Sequence, residues 1–141
     1  MLARFAREAP FDCFLLAGRY SLLDQGALAG LFDICLAKGI GVVLGGVFNS
    51  GILAAPQAGA TFDYRQADPE LIARAQRLDA ICRTHGADLK AAAIQFALAH
   101  PAVGGIVLGA RTAGDDSGRR RIPETSGQRL SHGRQEIAAV L

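Results

Sequence analysis

Three short apolar runs constrain this chain more than any other feature: residues 12–17 (DCFLLA), 40–45 (IGVVLG) and 103–108 (VGGIVL). None of them alternates polar with apolar residues. A strand with one face in water alternates, because successive side chains point to opposite faces, whereas a strand covered on both faces is a continuous apolar run, as a parallel sheet requires. The stretches between the runs are long enough for crossover helices. Residues 26–38 place Leu28, Leu31, Phe32 and Cys35 on one helical face, and Gly39 suits a left-handed cap. Asp68-Pro69-Glu70 opens a second helix. Asp68 can accept from free N–H groups, Pro69 lacks the N–H that a first turn leaves unpaired, and Glu70 suits the positive dipole end. Its apolar face is Leu71, Ile72, Ala75, Leu78 and Cys82, and Gly86 ends it. Asp88 is placed to cap a third helix over 89–100, which stops before Pro101. Residues 46–67 are expected to be a loop. The order β-α-β-α-α-β predicts an α/β fold with a parallel sheet, either open and doubly wound or part of a (β/α)8 barrel. Three strands leave two unpaired edges.

Composition divides the chain in two. The seven phenylalanines and two tyrosines all lie between Phe5 and Phe96. From Ala113 to Leu141 there is no aromatic residue, and arginine, glycine and acidic residues dominate. Such a segment buries too little apolar surface to order itself, so 113–141 is expected to be a disordered, divergent tail behind a body of residues 1–112. The break at Ala113 is what a shift of reading frame would leave. Arg119, Arg120 and Arg121 are flanked by Asp115, Asp116 and Glu124, so a solvated charge cluster explains them without a nucleic-acid partner.

The 15 basic and 13 acidic residues give a net charge of +2, too balanced to argue for nucleic acid or an anionic membrane. No stretch approaches the roughly 20 apolar residues of a membrane span. Arg4, Arg7 and Glu8 interrupt the N-terminal apolar residues, so no secretory signal is expected. Cys13, Cys35 and Cys82 form no CxxC pair and no metal-ligand spacing. They are expected to be buried free thiols in a reducing cytoplasm.

In parallel α/β folds, ligands bind beyond the C-terminal ends of the strands. Three segments qualify: Gly18-Arg19-Tyr20, then Gly45 through Leu53, then Gly109-Ala110-Arg111-Thr112. In the second, Gly45 and Gly46 allow close backbone approach to a ligand, and Asn49, Ser50 and the N–H groups around Gly51 suit phosphate oxygens. The same residues also suit a plain tight loop, since neither GxGxxG nor a P-loop is present. Arg111 could hold a phosphate with paired N–H donors or pair with a surface carboxylate. His85 and His100 fall near helix ends, where a cation complements the dipole. No Ser-His-Asp or Cys-His set and no paired carboxylates can be assembled.

Taken together, FDCFLLAGRYSLLDQ, KGIGVVLGGVFNSGIL, DPELIARAQRLDAICRTHG and AAAIQFALAHPAVGGIVLGART resemble the C-terminal half of an aldo-keto reductase. The pattern is most similar to the bacterial subgroup that oxidises L-fucose, D-threo-aldoses or pyridoxal. The resemblance covers residues 1–112 and implies a (β/α)8 barrel that binds NAD or NADP in extended form. Residues 12–17, 40–45 and 103–108 then match barrel strands six, seven and eight, and residues 1–10 match the end of the fifth barrel helix. It implies a pyrophosphate-side loop at Phe48, Asn49, Ser50, Gly51 and Leu53. It also implies the start of an adenosine-phosphate loop at Gly109, Ala110, Arg111 and Thr112, and a Tyr20 near the substrate mouth. The family often carries a nicotinamide-stacking tyrosine where Gly46 stands here. Its catalytic Asp, Tyr, Lys and His lie in the first half of the barrel, and no residue of this chain matches them. Lys38 and Lys90 are expected on helices. The expected function is therefore that of an NAD(P)-dependent oxidoreductase acting on a small sugar or aldehyde, here as a portion inactive alone. Such a portion would self-associate or join an N-terminal half-barrel. The other reading is a non-catalytic α/β module that binds a nucleotide or a partner.

Overall fold

The computed structural model describes residues 1–109. Ala110, Arg111, Thr112 and the segment 113–141 lie outside them. The chain runs α1 (Leu2–Glu8), β1 (Cys13–Ala17), α2 (Leu31–Lys38), β2 (Gly41–Gly45), β3 (Thr61–Phe62), β4 (Arg65–Gln66), α3 (Pro69–Thr84), α4 (Leu89–Leu98) and β5 (Val103–Val107). The strands β1, β2 and β5 form one parallel sheet in that order. Leu15 aligns with Val43, and Val43 with Gly105; Ala17 aligns with Gly45, and Gly45 with Val107. The register between β2 and β5 slips after Val42, with Gly104 as the extra residue, a bulge that glycine accommodates readily.

The sheet is covered on one face. Phe14, Leu16, Val42 and Leu44 are buried, and they share a core with Leu31, Phe32 and Cys35 of α2, Ala6 of α1 and Ala97 of α4. On the other face Leu15 is 66% and Val107 58% exposed. This corrects the expectation that the strands are covered on both faces. The apolar runs are those of a two-sided sheet, but among the described residues only one side is packed. A second core joins Leu22, Leu23, Ile52 and Leu53 to Ala75, Leu78 and Cys82 of α3 and to Leu89 and Ala93 of α4. Phe48 and Phe96 pack against both cores.

Local chemistry sets the element ends. Asp68 accepts from the N–H of Glu70 at 3.0 Å, and Asp88 from that of Lys90 at 3.3 Å, so each aspartate satisfies a donor that the helix leaves unpaired. Gly39 caps α2 with φ +69°. The expected helix over 26–38 is broken at Gly30, whose φ of +90° separates a short 3₁₀ turn from α2. Leu28 is consequently exposed rather than on the buried face with Phe32 and Cys35. The third helix ends at Leu98, two residues short of 100. Within the expected loop 46–67, residues 61–66 form a hairpin, β3–β4. Cys35 and Cys82 are buried and burial pushes their thiols up, but Cys13, expected inside, is exposed at the start of β1.

A buried polar pair ties the two strand-end loops together. The hydroxyl of Ser21, after β1, donates to Oδ1 of Asn49, after β2. The Asn49 amide donates to the carbonyl of Gly18 at 3.4 Å. The Ser21 oxygen also accepts from the N–H groups of Leu23 and Asp24. Both side chains are nearly inaccessible. Asn49→Ala leaves the Ser21 hydroxyl without its acceptor, and we expect a loss of about 1–3 kcal/mol, read from denaturant unfolding.

His100 supplies a pH dependence. Its ring packs on Phe32 with centroids 4.4 Å apart and on Tyr20 at 5.5 Å. Nδ1 accepts from the N–H of Ala102 at 3.2 Å, so this ring is neutral in the fold. Burial holds its pKa below the ordinary 6.5, against a smaller opposing effect of Asp33. A histidine whose folded pKa is depressed stabilises the fold above its unfolded pKa, and that contribution is lost as pH falls below about 6.5. The expected outcome is a Tm that falls between pH 7 and pH 5, with a shallower fall in His100→Gln.

Candidate functional site

The C-terminal ends of β1 and β2 converge on a pocket of about 520 Å³. Its lining comes from three places: Ala17, Gly18 and Arg19 after β1; Gly46, Asn49 and Ser50 after β2; and Asp63, Tyr64 and Arg65 from the hairpin. The floor is backbone. The N–H of Gly18 donates to the carbonyl of Gly45 at 3.0 Å. A Cβ at Gly46, where φ is +65°, would sit 3.4 Å from the Gly18 nitrogen. Glycine is needed there for both the angle and the approach.

The wall is a hairpin drawn onto the strand ends. Arg19 donates to Asp63 at 2.7 Å and to Asp24 at 2.9 Å. These hydrogen bonds, first to Asp24 and then to Asp63, hold its guanidinium firmly protonated. The N–H of Tyr64 donates to Oγ of Ser50 at 3.0 Å, and the Thr61 hydroxyl donates to the Ser50 carbonyl at 2.8 Å. Four non-glycine residues around this pocket have left-handed backbones: Asn49 (φ 44°), Ser50 (φ 58°), Asp63 (φ 48°) and Tyr64 (φ 62°). Asparagine and aspartate tolerate that region, while a bulky residue there is an outlier costing about 1–2 kcal/mol. Exposed ion pairs contribute about 0–1 kcal/mol each, so the Arg19–Asp63 pair needs both Ser50 hydrogen bonds beside it to hold the turn.

The sequence-predicted residues divide accordingly. Ser50 lines the pocket, and its hydroxyl, which accepts from Tyr64, retains a proton to donate. Asn49 also lines it, but its side chain is engaged with Ser21 and Gly18. Leu53 is fully buried in the second core. The proposed N–H cradle around Gly51 closes on itself: the N–H groups of Gly51 and Leu53 both donate to the Phe48 carbonyl, and that of Asn49 to Gly46. Tyr20, expected at the mouth, is 6% exposed, and its ring stacks on Phe96 at 5.0 Å and meets Phe32 edge-on at 4.8 Å. It is a core residue because its side chain turns to the helix side of the sheet. Gly109 is exposed beyond β5. Arg19 belongs to the expected ligand segment Gly18-Arg19-Tyr20 and does line the pocket, whereas Asp63, Tyr64 and Arg65 have no counterpart in the sequence analysis. Their signal was the alternation in Thr61-Phe62 and the Asp-Tyr step, which lacks the Asn-Gly of a recognisable hairpin turn.

The charged lining suits an anionic group. The lining holds two guanidiniums, Arg19 and Arg65, and one carboxylate, Asp63. Among the described residues no carboxylate pairs with Arg65. The Ser50 hydroxyl adds a further donor beside the two guanidiniums. Among the described residues no cluster of His, Cys, Asp or Glu could hold a metal ion, and no helix is long and apolar enough to cross a membrane.

Comparison with known proteins agrees with this layout. The aldo/keto reductase family model matches residues 2–115. A pyridoxal 4-dehydrogenase of Microbacterium luteolum is 51% identical over 106 residues, 74% of this chain and 31% of that protein. A D-threo-aldose 1-dehydrogenase of Pseudomonas sp is 43% identical over 110 residues, 77% of this chain and 33% of that protein. The chain therefore spans about a third of the length of the curated relatives it matches. A glycerol dehydrogenase structure from Gluconobacter oxydans superposes with a TM-score of 0.75 at 19% identity, covering 97% of this chain and 44% of that one. That likeness places the fold: three parallel strands and their helices, as in part of an aldo-keto reductase barrel, not closed within the described residues. The chain belongs to the aldo/keto reductase family.

Proposed function

We propose that this chain supplies the C-terminal, dinucleotide-side portion of an NAD- or NADP-dependent oxidoreductase that interconverts an alcohol and a carbonyl on a small sugar or aldehyde. The observation that carries the reading is the pocket at the C-terminal strand ends, with its glycine floor and excess of guanidinium, in a chain half identical to a pyridoxal 4-dehydrogenase over 106 residues. When bound, the nicotinamide cofactor supplies the hydride donor or acceptor. The part of these residues is to hold it. The Ser50 hydroxyl donates to a phosphate oxygen, Arg65 balances the phosphate charge, and the Gly18–Gly46 floor admits the ligand against backbone. By its family resemblance, the segment Gly109, Ala110, Arg111 and Thr112 is assigned to binding the adenosine side. The chain divides at residue 112, the cofactor function lies in 1–112, and the protein works in the cytoplasm.

The reaction also needs a proton donor beside the carbonyl. Tyr20 is in the core, Lys38 donates to the carbonyl of Arg7 at 3.1 Å, and Lys90 lies in the first turn of α4. None of them adjoins the pocket. The phenol in the pocket lining, Tyr64, has no lysine or histidine beside it there, so we infer that catalysis comes from a complementary portion of the barrel, which pairs along the edges of β1 and β5 that are free among the described residues and covers the open sheet face.

The 141-residue chain alone is expected to show no turnover of L-fucose, D-threo-aldoses or pyridoxal with NAD+ or NADP+, followed as nicotinamide absorbance. Clear turnover would contradict the division of labour. The chain is expected to bind one of these dinucleotides in isothermal titration, with Ser50→Ala weakening it about tenfold, the usual scale for a hydrogen bond to a charged group. Equal affinity in the variant would remove Ser50 from the phosphate site.

A further inference from the structure

One ring joins the pocket wall to the helix layer. Tyr20 lies in the chain between Arg19, which holds the hairpin through Asp63, and Ser21, which holds the loop after β2 through Asn49. Of these three side chains, Tyr20 belongs to the core beneath the sheet. Its ring stacks on Phe96 of α4 at 5.0 Å and meets Phe32 of α2 edge-on at 4.8 Å. The fourth ring of the cluster is His100, 5.5 Å from Tyr20 and 4.4 Å from Phe32. A ring that titrates near neutral pH therefore packs on the residue whose two chain neighbours build the wall.

The packing of His100 depends on its being neutral. Nδ1 accepts from the N–H of Ala102, which requires the ring proton to sit on Nε2. A second proton at Nδ1 sets two donors against each other. The ring is half-buried, so water is within reach of the cation if the ring turns. The titratable groups that act on it among the described residues are Asp33 of α2 and Tyr20. Asp33 attracts the cation, more weakly than burial opposes it. Tyr20 brings a phenol that burial keeps protonated, and Phe32 and Phe96 bring no charge. The carbonyl end of α4 also attracts a cation, but neither attraction restores the bond from Ala102.

We propose that His100 is a pH-sensitive latch on the strand-end pocket: the neutral ring holds Tyr20, and with it Arg19 and Ser21, in the position that shapes the wall, whereas the protonated ring leaves the cluster and lets Tyr20 and the wall shift. The latch acts on the shape of the pocket, so it holds for any ligand that the pocket takes. The wall is set while His100 is neutral and slackens as pH falls through its titration, whose midpoint lies below the ordinary 6.5.

Two amides read the wall directly: the N–H of Tyr64, bonded to Ser50, and that of Gly18, bonded to Gly45. The full chain is titrated by NMR from about pH 7.5 to about pH 5, above the ordinary carboxylate range of about 4. The ring proton of His100 is followed beside the two amides. The chain has three histidines, and His100→Gln identifies the signal by its loss. Both amides are expected to shift in a step that shares the His100 midpoint, and the step is expected to vanish in His100→Gln, which does not titrate. In Tyr20→Leu the His100 ring still titrates but the wall amides no longer follow it, while in Tyr20→Phe they follow as in the parent. The amide of Leu78, in the other core, stays level as the control. The proposal is overturned if the wall amides pass the His100 midpoint without a step, if Leu78 steps with them, or if their step persists in His100→Gln or Tyr20→Leu. The parent chain alone decides the first two outcomes, so a variant that fails to fold leaves the test intact.

Discussion

Everything in this structure depends on a parallel sheet that is packed on one face. Phe14, Leu16, Val42 and Leu44 share a buried core with α1, α2 and α4, and burying each such side chain contributes about 1.5–3 kcal/mol. That face fixes the strand register, because a slip of one residue would turn the apolar set outward. The opposite face has Leu15 and Val107 in the open, with glycines at Gly41, Gly45 and Gly105. Among the described residues both edge strands keep unpaired backbone groups. The sheet is thus fixed on the helix side and unfinished on the other, as a section of a barrel must be.

From this base the pocket is built by polar rather than apolar contacts. The Ser21–Asn49 pair joins the loops that follow β1 and β2. Arg19 then carries the charge link outward to Asp24 and Asp63. Each exposed ion pair is weak alone. Together with the two hydrogen bonds to Ser50 they hold a hairpin turn that its own residues disfavour. The buried pair sets the distance between the loops, and the exposed clasp sets the wall. The first contributes mainly to stability and the second mainly to the shape of the ligand site.

The fold class was legible because the governing patterns are local. The runs at 12–17, 40–45 and 103–108 announced three strands, and Asp68-Pro69 and Asp88 announced helix starts that their side chains indeed cap. The break at Gly30 was hidden because the apolar period runs through it, while a glycine at φ +90° ends the helix whatever the period. One-sided burial was hidden for a different reason: barrel strands are apolar on both faces, so the sequence looks the same whether or not the inner face is covered. At the site, loop composition drew attention to Asn49 and Leu53, whose side chains are engaged in the fold. Tyr20 was misplaced because a tyrosine after a strand can turn either way, and stacking on Phe32 and Phe96 decides it. The hairpin residues Asp63 and Tyr64 were missed because their turn conformation comes from Arg19 and Ser50, distant in sequence.

The most direct test of the account is amide hydrogen exchange on β1 and β5. The chain would be measured alone and after co-expression with the N-terminal portion of the Microbacterium luteolum pyridoxal 4-dehydrogenase that this chain does not cover. The account predicts a one-to-one complex in which the edge amides of both strands gain protection, while those of β2, already paired on both sides, change little. Exchange on β1 and β5 that is the same with and without that partner would contradict it, and the open face would then be the surface of a module complete in itself.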